Sequence, residues 1–190
     1  MKKKITKGHY GYIESRKKKL LLQGLILMAG VAGFVVLGII ITGSNKNLFT
    51  LVGVMTAVPM AMQFVQFFAL AKYHTRPEAE YLEVKKLAGN GLLNTDLVIA
   101  NKDGASFEIP YAYVHTAGIW LYLANEKPDA GKTEEYIRNY LRLNNCDGPV
   151  TVLTDLRVFL MRLQSLPEED RADVPDLLLE QEGVLRAISM

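Results

Sequence analysis

The sequence predicts a membrane α-helical hairpin of two transmembrane helices, followed by a small cytoplasmic α/β domain with a mixed sheet. Three observations predict this class. The chain has two uncharged runs of 24 residues, its charge changes sign near residue 77, and its second half shows strand patterns. Hydrophobic residues make up 49% of the 190 residues and charged residues 22%. This composition excludes a chain that is disordered throughout.

The two uncharged runs cover residues 20–43 and 48–71. About 20 apolar residues cross the hydrocarbon core of a bilayer as a helix, so each run is long enough. A secretory signal peptide would have a shorter apolar stretch. Because the second run follows after a loop at residues 44–47, the pair predicts a hairpin.

The distribution of basic residues predicts the orientation of this hairpin. There are 11 basic residues and one acidic residue up to Pro77, against 11 basic and 19 acidic residues from Glu78 onward. The loop between the runs holds only Lys46, so the positive-inside rule places both termini in the cytoplasm of a cell-membrane protein. An N-terminal arm at residues 1–19 supplies most of this charge and is expected to meet anionic lipid headgroups rather than nucleic acid. Its topology and lipid-contact residues are Lys2, Lys3, Lys4, Lys7, Arg16, Lys17, Lys18 and Lys19.

Small residues predict where the two helices pack. Gly53, Ala57 and Ala61 recur every four residues and form a ridge on the second helix, and Ala29 and Gly33 offer a matching pair on the first. Such ridges let helices approach closely in lipid. They predict packing within the hairpin or between copies in a homo-oligomer.

Polar residues within the runs allow two interpretations. Pro59 predicts a kink because it removes one helical hydrogen bond, and Gln23 and Gln66 are expected to bond each other at similar depth. The alternative is an oligomeric pore, although neither run contains the charged residue that usually marks an ion path. The intramembrane polar residues are Gln23, Thr56, Gln63 and Gln66.

After a juxtamembrane linker at residues 72–77, residues 78–166 predict the α/β domain. The expected order is helix, three strands, helix, strand and helix, which favours a mixed sheet. Alternation predicts that Phe107, Ile109, Tyr111 and Tyr113 share one buried face, with Pro110 at an edge or bulge. The predicted elements are a helix at 78–88, strands at 96–101, 107–113 and 118–124, a helix capped by Thr133, a strand at 150–153, and a helix capped by Thr154 or Asp155.

Residues 167–190 predict an acidic C-terminal amphipathic helix. Apolar residues from Val174 to Ile188 keep a helical period. Their face either packs on the same domain or binds a partner or a neighbouring subunit.

The chemistry-bearing residues predict no catalytic, metal or cofactor site. Cys146 is alone, and His9, His74 and His115 lack ligand spacing. We expect Cys146 to be a small buried side chain and His115 a surface or capping residue. Residues 130–133 (AGKT) end like a phosphate-binding loop but lack its upstream glycine. Residues 83–85 match the E-x-K of metal-dependent nucleases, but they fall in a predicted helix.

The order helix–strand–strand–strand–helix–strand resembles the restriction-endonuclease-like core, over residues 78–166. The segment from Ile109 through residues 118–125 (GIWLYLAN) is similar to the NERD branch of that fold. In that family an aspartate follows the isoleucine, and a glutamate and a lysine close the next strand. The matching positions here are Pro110, Leu123 and Asn125, so the resemblance implies a relative that has lost its metal-binding carboxylates and lysine.

These observations predict a membrane-anchored, non-enzymatic protein that presents its cytoplasmic domain for protein–protein interaction or assembly. The expected partners are the membrane, further copies of the chain and a cytoplasmic protein, with no cofactor and no nucleic acid. One alternative is an oligomeric effector or pore gated by the cytoplasmic domain. A second alternative is a membrane-tethered, metal-dependent nuclease-like hydrolase.

Overall fold

The computed structural model describes residues 5–44, 46–100, 106–124, 129–167 and 174–190. The chain divides into two compact units. Ile13–His74 form one unit, and Met1–Tyr12 with Thr75–Met190 form the other. The elements are α1 (Tyr12–Thr42), α2 (Leu48–Ala71), α3 (Glu78–Ala88), β1 (Leu92–Ala100), β2 (Ser106–His115), β3 (Gly118–Tyr122), α4 (Ala130–Leu143), β4 (Val150–Leu153), α5 (Leu156–Ser165) and α6 (Asp176–Ile188).

Helices α1 and α2 are both long and apolar enough to cross a membrane. Helix α1 begins at Tyr12, eight residues before the predicted run. Residues 12–19 contain no glycine or proline, and lysine and arginine favour helix, so nothing ends the helix at the charge boundary. The basic residues 16–19 therefore lie on α1 rather than in a separate arm. Lys2, Lys3 and Lys4 lie outside the described residues.

The other unit contains a four-stranded sheet in the order β1-β2-β3-β4. Strands β1, β2 and β3 pair antiparallel, and β4 pairs parallel to β3 after the crossover helix α4. The predicted mixed sheet and order of elements are confirmed. Helix α3 and strand β4 have the predicted bounds, whereas β1 begins at Leu92 because residues 92–95 pair with residues 111–114 of β2.

Helices cover both faces of the sheet. On one face, Ile137 of α4 and Leu178 of α6 pack with Leu121 of the sheet. On the other face, Val84 of α3 and Phe159 of α5 pack with strand residues of a second core. The domain is therefore a three-layer α/β/α arrangement, with two apolar cores separated by the sheet.

Alternation predicted that one side of strand β2 is buried along its whole length, and this prediction is wrong. Phe107 and Ile109 belong to the core under α4 and α6, whereas Tyr111 and Tyr113 belong to the core under α3 and α5. The change of face occurs at Pro110, which lies opposite Asp96. Pro110 and Asp96 are not paired in the β1–β2 ladder, and the pairing register is the same before and after them. Proline has no N–H, and Asp96 has φ +55°, so this irregular position is a gap in the ladder without an inserted residue.

The helix termini refine two predictions. Asp129, not Thr133, caps α4, and its carboxylate accepts a hydrogen bond from the Gly131 N–H at 2.9 Å. Thr133 lies inside the helix, buried in its first turn, where its hydroxyl donates to the Asp129 carbonyl at 3.1 Å instead of capping the helix. Asp155 caps α5.

Helix α6 packs on its own domain. Leu178 and Leu185 lie in the core beside β1 and β2, so this part of the predicted apolar face is covered, whereas Leu177 is 45% exposed. Cys146 is buried in the same core, as predicted. The acidic residues 168–173 lie outside the described residues.

Candidate functional site

The segment around Gly8 and the C-terminal residues both lie along the open edge of β1. The Thr95 N–H donates to the Gly8 carbonyl at 3.0 Å, and the Met190 N–H donates to the Val98 carbonyl at 2.8 Å. The Lys7 ammonium also donates to the Ser189 carbonyl at 2.5 Å. The N-terminal segment and the C-terminal residues thus occupy backbone groups that an edge strand would otherwise expose.

Gly8 fits this edge because it has no side chain. Its φ is +80°, and a Cβ there would lie 2.6 Å from the Asn94 Oδ1 and 2.7 Å from the Arg186 Nε. Glycine alone adopts such a conformation readily and allows so close an approach.

A polar cleft of about 350 Å³ opens beside Gly8. The N-terminal segment, α3 with the turn that follows it, β1 and α6 each contribute to its walls. Its charged side chains are the cations Lys85 and Arg186, and none of its described lining residues carries a carboxylate. We call it the arm cleft, and it is lined by Gly8, His9, Tyr10, Tyr81, Lys85, Asn90, Gly91, Leu93, Thr95 and Arg186.

The two cations of the arm cleft are held differently. The Arg186 Nε donates to the Asn94 Oδ1 at 2.6 Å, and its Nη2 donates to the Glu182 Oε1 at 2.6 Å. The guanidinium is therefore fixed in position. The Lys85 ammonium donates to the Gly89 carbonyl at 2.9 Å and forms no ion pair with any described residue. It retains N–H groups for a further acceptor.

Two tyrosines form an aromatic wall of the arm cleft. The rings of Tyr10 and Tyr81 stack with centroids 4.2 Å apart, and the Tyr10 hydroxyl donates to the Arg76 carbonyl at 2.9 Å. Burial raises the pKa of the Tyr10 phenol, and the nearby carboxylates of Glu78 and Asp96 raise it further. Tyr10 is therefore neutral at physiological pH and keeps its role as a hydrogen-bond donor.

The floor of the arm cleft contains buried polar atoms without partners. Thr95 lines the cleft and is 2% exposed, yet its Oγ1 has no hydrogen-bond partner. The Nδ2 of the neighbouring Asn94 is also buried and unpartnered, although its Oδ1 receives Arg186. Unpaired buried polar atoms cost free energy, and they are commonly found where a ligand or water binds.

The structure brings only part of the predicted small-residue set together within the hairpin. A Cβ on Gly53 would lie 3.3 Å from the Val35 Cγ2, and one on Gly24 would lie 3.0 Å from the Phe64 ring. A Cβ on Gly33 would meet nothing within 4 Å. The stripe of α1 that faces α2 therefore differs from the predicted Ala29–Gly33 pair. Ala57 is half-buried, whereas Ala29 and Ala61 are exposed.

Two of the four polar residues that the sequence predicted to lie in the membrane have hydrogen-bond partners within the hairpin. The Thr56 hydroxyl donates to the Val52 carbonyl of its own helix at 2.8 Å. The Gln66 Oε1 accepts from the Arg16 Nη2 at 3.1 Å, so its partner is not the predicted Gln23. A charged arginine is the stronger donor, and the extension of α1 brings it within reach. Gln63 is half-buried, and α2 continues through Pro59 as helix.

Sequence reasoning missed a polar cluster at the open end of the hairpin. The Lys17 ammonium is largely buried and donates to the Tyr73 carbonyl, and it lies 3.2 Å from the Glu14 Oε1. The His74 Nδ1 lies 3.3 Å from the same Glu14 oxygen. The spacing of Glu14 and Lys17 on one helix face was the only available signal, because Tyr73 and His74 join them through tertiary structure.

The remaining candidates form no catalytic set. His115 is buried rather than at the surface, and it closes the β2–β3 turn by accepting from the Ala117 N–H at 3.0 Å and contacting the Pro167 carbonyl at 3.1 Å. Among the described residues, no three His, Cys, Asp or Glu side chains are arranged to hold a metal. Of the nuclease-like positions, Pro110 lies at the gap in the ladder, Leu123 is fully buried, and Asn125 lies outside the described residues.

The fold and the site define a class: a small mixed α/β domain joined in one chain to two helices that are long and apolar enough to cross a membrane. No family model, curated protein or solved structure matches this chain.

Proposed function

We propose that this protein is a two-span membrane protein that holds a non-enzymatic α/β domain on the cytoplasmic side, where the domain serves interaction or assembly. The observation that carries the proposal is the outward-facing surface of α1 and α2. Large apolar side chains such as Ile40, Leu48 and Val65 are 72%, 72% and 68% exposed. An exposed apolar surface of this length is stabilised in lipid rather than in water.

The orientation is supported by the basic residues that flank the spans. Arg16, Lys18 and Lys19 precede the apolar part of α1, and Lys72 and Arg76 follow α2. By the positive-inside rule these residues stay in the cytoplasm, and the short loop between the helices reaches the other side.

Cysteine labelling tests this orientation. The only native cysteine, Cys146, is buried, and Cys146→Ala gives a background without thiols. In intact cells, a membrane-impermeant maleimide should label Ser44→Cys in the loop and should leave Lys86→Cys on α3 unlabelled until lysis. Both positions are exposed. Labelling of Lys86→Cys in intact cells would contradict the orientation. If neither Ser44→Cys nor Lys86→Cys were labelled after lysis, the maleimide would not be reacting with these cysteines.

The contacts inside the hairpin favour an anchor over a pore. Thr56 and Gln66 already have hydrogen-bond partners within the same unit, which leaves Gln23 and Gln63 to line an oligomeric path. We expect liposomes with reconstituted protein to remain tight to ions. Flux that Gln63→Leu abolishes would instead establish the pore.

For the domain, we propose a non-catalytic relative of the restriction-endonuclease-like core. The support is the observed order of elements, together with proline and leucine at two positions where the family carries charged residues. Purified protein should leave DNA and RNA intact with magnesium or manganese. Cleavage that persists through further purification would overturn the non-enzymatic proposal.

Assembly is tested by the molar mass of the full-length protein in mild detergent, measured by light scattering. We expect a homo-oligomer, in which the exposed Ala29, Gly33 and Ala61 provide the contacts between chains. Gly33→Leu should reduce the mass to that of the monomer. A wild-type monomer would contradict assembly through the spans.

A further inference from the structure

We propose that the arm cleft binds a small organic anion that carries a phosphate or carboxylate group. The site lies wholly within one unit of the chain, so the proposal does not depend on whether α1 and α2 cross a membrane.

The charge of the arm cleft is opposite to that of the domain around it. From Glu78 onward the chain carries 11 basic and 19 acidic residues. Within the cleft, however, the charged side chains are Lys85 and Arg186, with the His9 imidazole beside them. Because Glu182 pairs with the Arg186 guanidinium, Lys85 is the cation whose charge no described carboxylate pairs. A concave site lined by one sign of charge concentrates ligands of the other sign, so the walls favour an anion.

The hydrogen-bonding groups suit an oxyanion. Lys85 has no ion pair among the described residues, and its ammonium can donate to a further oxygen. Thr95 adds a hydroxyl that is buried and unpartnered at the cleft. The Asn90 amide is a further donor on the wall. A phosphate or carboxylate would accept from these groups, and charge-assisted hydrogen bonds of this kind are the stronger ones.

The size and the aromatic wall indicate that the anion has an organic body. A cleft of about 350 Å³ is at the lower end of the range for small-molecule sites. Tyr10 and Tyr81 provide apolar surface next to the cations. The expected ligand is therefore larger than inorganic phosphate, with an apolar or ring-containing part against the tyrosines.

Such a ligand would join the N-terminal segment to the rest of the domain. Gly8, His9 and Tyr10 belong to a segment that continues into α1 at Tyr12, whereas Lys85, Thr95 and Arg186 belong to α3, β1 and α6. A bound anion contacts both sets and stabilises their association through mass action.

Binding is tested on the full-length protein in a phosphate-free maltoside detergent, by calorimetric titration with phenyl phosphate. Inorganic phosphate and the neutral phenyl glucoside serve as comparison probes. We expect phenyl phosphate to bind more tightly than inorganic phosphate, and phenyl glucoside not to bind. Lys85→Gln should weaken phenyl phosphate binding about tenfold. The matched control is Lys86→Gln, an exposed position on the same helix but outside the cleft, and it should leave binding unchanged.

A second variant protects the test against misfolding. Thr95→Val is nearly isosteric and removes a hydroxyl that has no partner in the free protein. It should leave the melting temperature unchanged or raise it, and yet weaken phenyl phosphate binding about threefold or more. Equal loss of binding in the Lys85 and Lys86 variants, or no binding of phenyl phosphate at roughly 1 mM, would overturn the proposal.

The same titration separates a soluble anion from a lipid headgroup. In micelles doped with phosphatidylglycerol, two results together would identify the headgroup as the ligand. Phenyl phosphate binding would be lost, and the lipid would protect the wild-type protein against thermal unfolding more than it protects the Lys85→Gln variant. Unchanged binding in those micelles would identify a soluble anion. If phosphatidylglycerol displaced phenyl phosphate equally from the wild-type protein and from the Lys86→Gln and Lys85→Gln variants, that result would overturn a specific site.

Discussion

The hairpin and the α/β domain are both rich in apolar residues, but the domain buries these side chains and the hairpin exposes them. In the domain, Leu97, Ile109 and Leu121 are fully buried. In the hairpin, Leu22 and Phe68 are 60% and 67% exposed. Apolar composition therefore does not distinguish the two units. What distinguishes them is the distribution of charged side chains, which occur on the exposed faces of the domain's helices and are absent from residues 20–43 and 48–71 of the hairpin.

Glycine also has a different role in each unit. In the domain, Gly8 supplies a backbone conformation that other residues rarely adopt, next to Asn94 and Arg186. In the hairpin, Gly53 has no unusual backbone angle, and its value lies in the close approach of α1. The same residue type therefore serves backbone geometry in one unit and helix packing in the other.

The largest expected effect tests the core of the domain. Phe159→Ala should lower the free energy of unfolding by about 3–5 kcal/mol, because the fully buried ring packs against Tyr111 and Tyr122. Denaturant unfolding followed by the fluorescence of Trp120, the only tryptophan, measures this because Trp120 lies in the same core. The adjacent, partly exposed Val158→Ala should cost much less. Equal effects would show that the α5 face is not a core.

A smaller effect tests close packing in the hairpin. Gly53→Leu should destabilise the helix pair by about 1–3 kcal/mol through overpacking against Val35. The separation of spin labels at Met28→Cys and Met62→Cys, in the Cys146→Ala background, should widen. Gly30→Leu is the control, because a side chain there meets nothing within 4 Å of its Cβ in the same hairpin and lies outside the contacts proposed between chains. Widening in both variants would contradict the observed contact stripe.

The smallest effect concerns a helix terminus. Asp129→Ala should cost about 1 kcal/mol, because the carboxylate no longer caps α4 at Gly131. Trp120 fluorescence reports this change as well, and the exposed Lys132→Ala should be close to neutral. A larger loss in Thr133→Val than in Asp129→Ala would restore the cap that the sequence had suggested.

Much of the fold could be predicted because local patterns agree with it. The bounds of α3 and β4, the order of elements and the mixed sheet all follow from proline, glycine and apolar spacing. Alternation failed in β2, where Phe107 and Tyr111 face different cores. That change of face occurs where Pro110 lies opposite Asp96 of the neighbouring strand. Proline marks an irregular position in β2, but alternation alone does not show that the buried face changes there.

The arm cleft could not be predicted at all. His9, Lys85 and Arg186 are far apart in the chain, and each one alone resembles a solvated surface residue. They come together because the chain ends pair with the edge of β1, and edge pairing leaves no periodic signal in the sequence.

The two apolar runs, the charge asymmetry around them and the helix–strand order of the domain can be derived from the amino-acid sequence alone. These features depend on the length and period of runs of neighbouring residues. Three other features are visible only in the folded protein: the side of α1 that faces α2, the change of face in β2, and the polar groups that meet at the arm cleft. Those outcomes depend on contacts between residues distant in the chain, where backbone hydrogen bonding and side-chain shape select one arrangement among many with the same local pattern.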